Sequence, residues 1–120
     1  MGKTTKKMIF HGLKTCDTCR KARKELDAAG VDYTYKDVRA DGVSAAEVTR
    51  WAKAVGWEKL LNKSSTTWRN LDDADKEGLD EAKAIQLLTD NPTLIKRPII
   101  ENETQVFVGW KADVKGALLR

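Results

Sequence analysis

The chain has two cysteines, Cys16 and Cys19, set three positions apart where an apolar run gives way to a helical pattern. Met8-Ile9-Phe10-His11 reads as a short buried strand ended by Gly12, and Gly12-Leu13-Lys14-Thr15-Cys16 as a loop. From Asp17 or Thr18, either able to cap a helix, the pattern runs to about Ala29, with Cys19, Ala22, Leu26 and Ala29 on one face and Gly30 as the stop. A strand, a tight loop and a helix sharing a cysteine pair at their junction cannot fold alone. The strand needs partners and the helix needs a sheet face to cover. The pair closes too short a loop to staple a secreted fold. It is half of a four-ligand zinc site, and His11 is the sole histidine, so no metal is expected. Redox chemistry in a reducing compartment, the cytoplasm, is the reading that remains.

The rest of the chain supplies the partners. Val31 to Val38, with Tyr33 and Tyr35 alternating against polar residues, predicts a second strand. Ser44 and Glu47 form a capping box before a helix carrying Val48, Trp51, Ala52 and Val55, and Gly56 ends it. The stretch from Leu60 to Arg69 is polar and mixed in character. Asp80 starts another helix with Ala82, Ile85 and Leu88 inward, which stops before Asn91-Pro92. A third strand begins at Arg97-Pro98-Ile99-Ile100. After a turn over Glu101-Asn102-Glu103-Thr104 the fourth runs from Gln105 to Gly109, and Lys111 to Leu119 makes the last helix. The four tryptophans read as core or half-exposed packing.

This order, β-α-β, a helical block, then β-β-α, predicts an α/β (α+β) thioredoxin/glutaredoxin-like domain. It has a mixed four-stranded sheet and a helical insertion between strands 2 and 3. Of the 120 residues, 1–6 are expected to be a disordered tail and 7–120 a single domain. The net charge is +4, and Lys3, Lys6 and Lys7 near the start of the sequence supply three of the positive charges. The remaining charges are interspersed in sign, which argues against direct nucleic-acid binding. No apolar run approaches the ~20 residues of a membrane helix, nor the roughly 7–15 of a secretory signal.

The chemistry points to Cys16. A cysteine at a helix N-terminus faces unpaired amides and the positive end of the helix dipole, with Lys14, Arg20 and Lys21 nearby in sequence. Such settings lower a thiol pKa to roughly 3.5–7.5. Cys19, one turn on and less exposed, is placed to resolve a mixed disulfide at Cys16. Read blandly, Cys19 is a small core hydrophobe. Arg97 can hold an anion or carboxylate beside the thiolate. Pro98 opens a strand, and sequence leaves its isomer open.

Three blocks carry a family resemblance. The runs Gly12-Leu13-Lys14-Thr15-Cys16-Asp17-Thr18-Cys19-Arg20-Lys21-Ala22, Leu60 to Arg69, and Lys96-Arg97-Pro98-Ile99-Ile100 resemble, in order, those of the ArsC-like proteins. That group takes in arsenate reductases, the Spx and MgsR regulators and YffB-like proteins. The first block and Thr66-Thr67-Trp68-Arg69 look most like the YffB-like branch. The resemblance implies Cys16 as nucleophile, Arg97 as the arginine before the proline, and a cis Pro98 whose edge holds a thiol substrate. It implies a thiol–disulfide oxidoreductase with no tightly bound cofactor. Glutathione would be its co-substrate, or a protein disulfide its partner, held by Lys14, Thr15, Lys63, Arg97 and Pro98. Arsenate reductases of this type use further arginines. Asn62 and the Trp110-Lys111 region stand in their places, which ranks arsenate reduction last. The Spx likeness implies the alternative, a redox-switched regulator that binds the RNA polymerase α subunit.

Overall fold

The computed structural model describes residues 8–103 and 105–119. The expected tail, residues 1–6, lies outside them. The chain divides into two units, one built from the segments up to Asp37 and from Arg97 onward, the other from Val38–Lys96.

The first unit is a four-stranded sheet in the order β2-β1-β3-β4. β1 is Met8–Gly12, β2 Thr34–Asp37, β3 Ile99–Asn102 and β4 Gln105–Val108. β1 runs parallel to β2, and the β1/β3 and β3/β4 pairs are antiparallel. The parallel pair needs a crossover, which α1 (Asp17–Ala28) provides. Phe10 lies opposite Ile100 in the β1/β3 register. On their face pack Ala22 and Leu26 of α1 and Val114 and Leu118 of the C-terminal helix (Ala112–Leu118). Phe10, Leu26 and Ile100 are fully buried, and a side chain of this kind contributes roughly 1.5–3 kcal/mol. His11 and Glu101 occupy the opposite face. Both are buried, with His11 Nε2 and Glu101 Oε1 2.8 Å apart.

Several expectations change here. β3 opens at Ile99 instead of Arg97 and runs on through Glu101 and Asn102, where a turn is expected. β2 begins at Thr34 instead of Val31. Gly30, at φ 73°, closes the end of α1, and the Val31 amide donates to the Leu26 carbonyl, so this stretch serves as a helix cap and not as a strand. Ala29 is therefore exposed. At the other end of the helix the cap is Cys16, and Asp17 is already its first residue.

The second unit is helical. α2 (Ala45–Val55) starts with the Ser44–Glu47 capping box, in which the Glu47 amide donates to Ser44 Oγ at 3.0 Å and the Ser44 amide to Glu47 Oε1 at 2.9 Å. It buries Val48, Trp51 and Ala52 and packs on α6 (Glu81–Asp90). Asp80 caps α6 by accepting the Lys83 amide at 2.9 Å. The inward face of α6 is Ala84, Leu87 and Leu88, while Ala82 is exposed and Ile85 half-buried. Both triplets have helical spacing, and the stripe that includes the two adjacent leucines buries the larger apolar area. Between these helices lie three single turns, α3 (Trp57–Leu60), α4 (Thr66–Arg69) and α5 (Asp73–Lys76). The mixed stretch from Leu60 to Arg69 thus ends in helix, with Ser65 Oγ accepting the Trp68 amide. A Leu61–Ile95 bridge and a Lys96 amide bond to the Leu60 carbonyl return the chain to Arg97.

Candidate active site

Cys16 occupies the cap position of α1, with extended backbone at φ −86° and ψ 118°. Its carbonyl accepts the Arg20 amide at 3.0 Å and starts the helix. Its own amide donates to the Leu13 carbonyl at 3.0 Å and closes the turn that precedes it. In this position a serine or aspartate would accept a first-turn amide. The sulfur makes no full capping bond of that kind, because a thiol is a poor and bulky acceptor. A thiolate in the same place still meets the positive ends of those groups.

The two thiols are pushed in opposite directions. Partial burial raises the Cys16 pKa, but the Cys19 amide, the Cys19 thiol and the Arg97 guanidinium, all aimed at the sulfur, outweigh it, and the thiol sits below its ordinary value. Cys19 is buried, and burial with the donated bond to Cys16 pushes its thiol up to about 12. One cysteine therefore favours the thiolate and the other the thiol, one helical turn apart. Both are reduced.

The packing behind the pair leaves no room at Gly12. A Cβ there would lie 2.7 Å from Phe10 Cε1 and 3.2 Å from Cys19 Sγ. Phe10 is locked in the core, so the loop needs glycine at that point.

Of the residues singled out from sequence, Cys16, Cys19 and Arg97 come together. The Arg97–Pro98 peptide bond is cis, Pro98 is buried, and its carbonyl accepts the Gly109 amide at 2.8 Å. Lys14 and Thr15 are exposed in the loop. The cation acting most strongly on Cys16 is Arg97, not a neighbour in sequence. Arg20 instead pairs with Asp17 and donates to the Lys14 carbonyl. Lys63 belongs to the Val38–Lys96 unit, with its ammonium 5.7 Å from the Trp68 ring. No cluster of metal-ligating side chains occurs among the described residues, nor any helix long and apolar enough to cross a membrane.

Asp37 was not legible as a site residue. It is buried at the end of β2, where its Oδ2 accepts the Lys14 amide at 3.1 Å and, at 3.4 Å, the Tyr35 hydroxyl. It thereby ties the cysteine loop to the sheet. An acidic residue ending a strand is the only signal, and it reads as a surface charge. Replacing Asp37 with Ala should lower stability by about 1.5–3 kcal/mol in urea unfolding, the range for a hydrogen bond to a charged group. Asp37→Asn, which keeps an acceptor oxygen, should recover much of the loss.

The sequence profile of the ArsC family matches residues 11–117. The chain belongs to the ArsC family. Among solved ArsC-like structures, one titled YFFB protein is 42% identical, superposes with a TM-score of 0.90, and is matched over 94% of this chain and 99% of that one. An uncharacterized Haemophilus influenzae protein is 43% identical over 86% of this chain and 90% of its own length. The global transcriptional regulator Spx of Staphylococcus haemolyticus is 30% identical over 82% of this chain and 76% of that protein. The ArsC architecture is thioredoxin-like, with the mixed sheet described above.

Proposed function

We propose that this ArsC-family protein is a thiol–disulfide oxidoreductase with Cys16 as nucleophile and Cys19 as resolving thiol. The observation that carries the reading is the opposed pair, a thiol held below its ordinary pKa beside one pushed up to about 12. The Cys16 thiolate attacks one sulfur of a substrate disulfide. A Cys16–substrate disulfide forms, the substrate's own S–S bond breaks, and the departing thiolate takes up a proton. With Cys16 in a disulfide, its charge no longer raises the Cys19 pKa. Cys19 gives up its proton and attacks the Cys16 sulfur, and the second substrate thiol leaves. Two electrons pass from the dithiol to the substrate, and two glutathione thiols or a protein dithiol return them. Lys14, Thr15 and Arg97 are the groups proposed to meet glutathione carboxylates and amides, and the Pro98 segment its backbone.

Glutathione-coupled reduction of 2-hydroxyethyl disulfide tests the reading, with arsenate in a parallel arm. Turnover of the disulfide and none of arsenate is the expected result. It follows from the missing arginines, since Asn62 and Lys111 do not offer the bidentate fork a tetrahedral oxyanion favours. Turnover of arsenate alone would replace this reading. The identity to Spx supports a second one, in which oxidation of the Cys16–Cys19 pair changes a surface that binds the polymerase α C-terminal domain. Pull-down against that domain under reducing and oxidising conditions decides it, and no capture in either state discards it.

A further inference from the structure

The outer face of α1 is a cationic groove that begins at the cysteine loop. Arg20, Lys21, Arg23, Lys24 and Asp27 line an open cavity of about 550 Å³. Arg20 leans back to donate to the Lys14 carbonyl, so the stripe is continuous with the loop that carries Cys16. Arg23 is fixed in place, its guanidinium 3.8 Å from the Tyr35 ring centroid and its Nε donating to the Tyr33 hydroxyl at 3.3 Å. Lys21 and Lys24 are exposed and form no ion pair with a described residue. Glu25, the remaining acid of the helix's middle turn, is held away on Lys115 at 3.7 Å. Five cations, Lys14 included, thus lie along this helix and the loop before it, against Asp17 and Asp27.

We infer that this groove docks an acidic segment of a protein disulfide and so sets which partners reach Cys16. The inference rests on the oxidoreductase reading above and names its substrate class. Three features favour an acidic polypeptide over a nucleic acid. The stripe covers one face of a single helix for about two turns, roughly 10 Å, too short to follow a phosphate backbone. Asp17 and Asp27 bound it at both ends and would repel further phosphates. It abuts the nucleophile, where a disulfide partner must lie. Cations in such a place raise the encounter rate of an oppositely charged partner and lose that effect in salt.

The test uses two decapeptides, one with four glutamates and one with four lysines, each carrying the same chromogenic thiol in disulfide linkage to a single cysteine. At low salt the reduced protein should release the thiol from the acidic peptide about tenfold faster than from the basic one, and high salt should narrow the gap. The Lys21→Glu/Lys24→Glu double variant should abolish the preference, and Lys21→Gln/Lys24→Gln should reduce it. Reduction of the neutral 2-hydroxyethyl disulfide should stay the same in both variants. Equal rates for the two peptides, with the neutral disulfide still reduced, overturn the docking surface and leave the oxidoreductase standing. No reduction of any disulfide overturns both. A duplex oligonucleotide bound by the wild type and lost in the double variant, with no peptide preference, overturns the inference in favour of a nucleic acid.

Discussion

Cys16→Ser should abolish disulfide reduction, a loss on the order of 10³-fold or more, while leaving the fold intact. A serine fits the cap position at least as well as cysteine, and its oxygen can accept a first-turn amide, so stability should hold or rise slightly. The hydroxyl is not ionised near neutral pH and forms no S–S bond, so neither half of the cycle can proceed. Cys19→Ser should behave differently. Cys16 still attacks, and the protein stops at the mixed disulfide until an external thiol releases it. With abundant glutathione the loss should be about tenfold or less, and with a protein reductant alone it should be far greater. Steady-state rates with the two reductants, beside circular dichroism of each variant, measure both effects. Equal losses in the two variants would remove the division of roles.

The second large effect belongs to Arg97. Its guanidinium donates toward the Cys16 sulfur and, with the Cys19 amide and thiol, offsets the cost of burial. Removing a cation in contact with an acid raises that acid's pKa by about 1–3 units. Arg97→Gln should therefore shift the iodoacetamide-alkylation profile of Cys16 upward by about one to two units. The sign follows from the thiolate being the reactive form. Below the wild-type inflection both proteins lose thiolate in step, and the variant is slower by about ten- to a hundredfold. Above the variant's own inflection both are fully ionised and the rates converge. Cys19, pushed up to about 12, should stay unreactive across the range in both proteins. An unchanged inflection would mean that the helix amides alone hold the Cys16 charge.

Much of this site is written in short spans of sequence. The strand, loop and helix around Cys16 follow from apolar runs, a glycine and a helical stripe, all local signals, and the capping box at Ser44 and the single cap at Asp80 are spelled out in three or four residues. Less legible were features that depend on what meets across the fold. Lys14 and Arg20 flank Cys16 in sequence, but side-chain direction and the Asp17 pair take Arg20 away, and the segment leading into β3 brings Arg97 in its place. Asp37 acts on a loop more than twenty residues earlier, and nothing local to it shows which amide it holds. β2 starts at Thr34 and not at Val31 because Gly30 and Val31 serve the helix cap, a choice settled by hydrogen bonds back to Asp27 and Leu26 and not by the β-propensity of Val31.

The claim at the centre of this account is that Cys16 attacks and Cys19 resolves. Intact-mass spectrometry with peptide mapping, after mixing reduced protein with glutathione disulfide at neutral pH, tests it most directly. In Cys19→Ser the account predicts one glutathione adduct, mapped to Cys16. In the wild type it predicts that adduct only transiently, followed by an intramolecular Cys16–Cys19 disulfide. In Cys16→Ser it predicts no adduct on the same timescale, because the buried Cys19 thiol stays protonated. An adduct that forms on Cys19 in Cys16→Ser as fast as on Cys16 in Cys19→Ser, or a wild type that never changes mass, would contradict it.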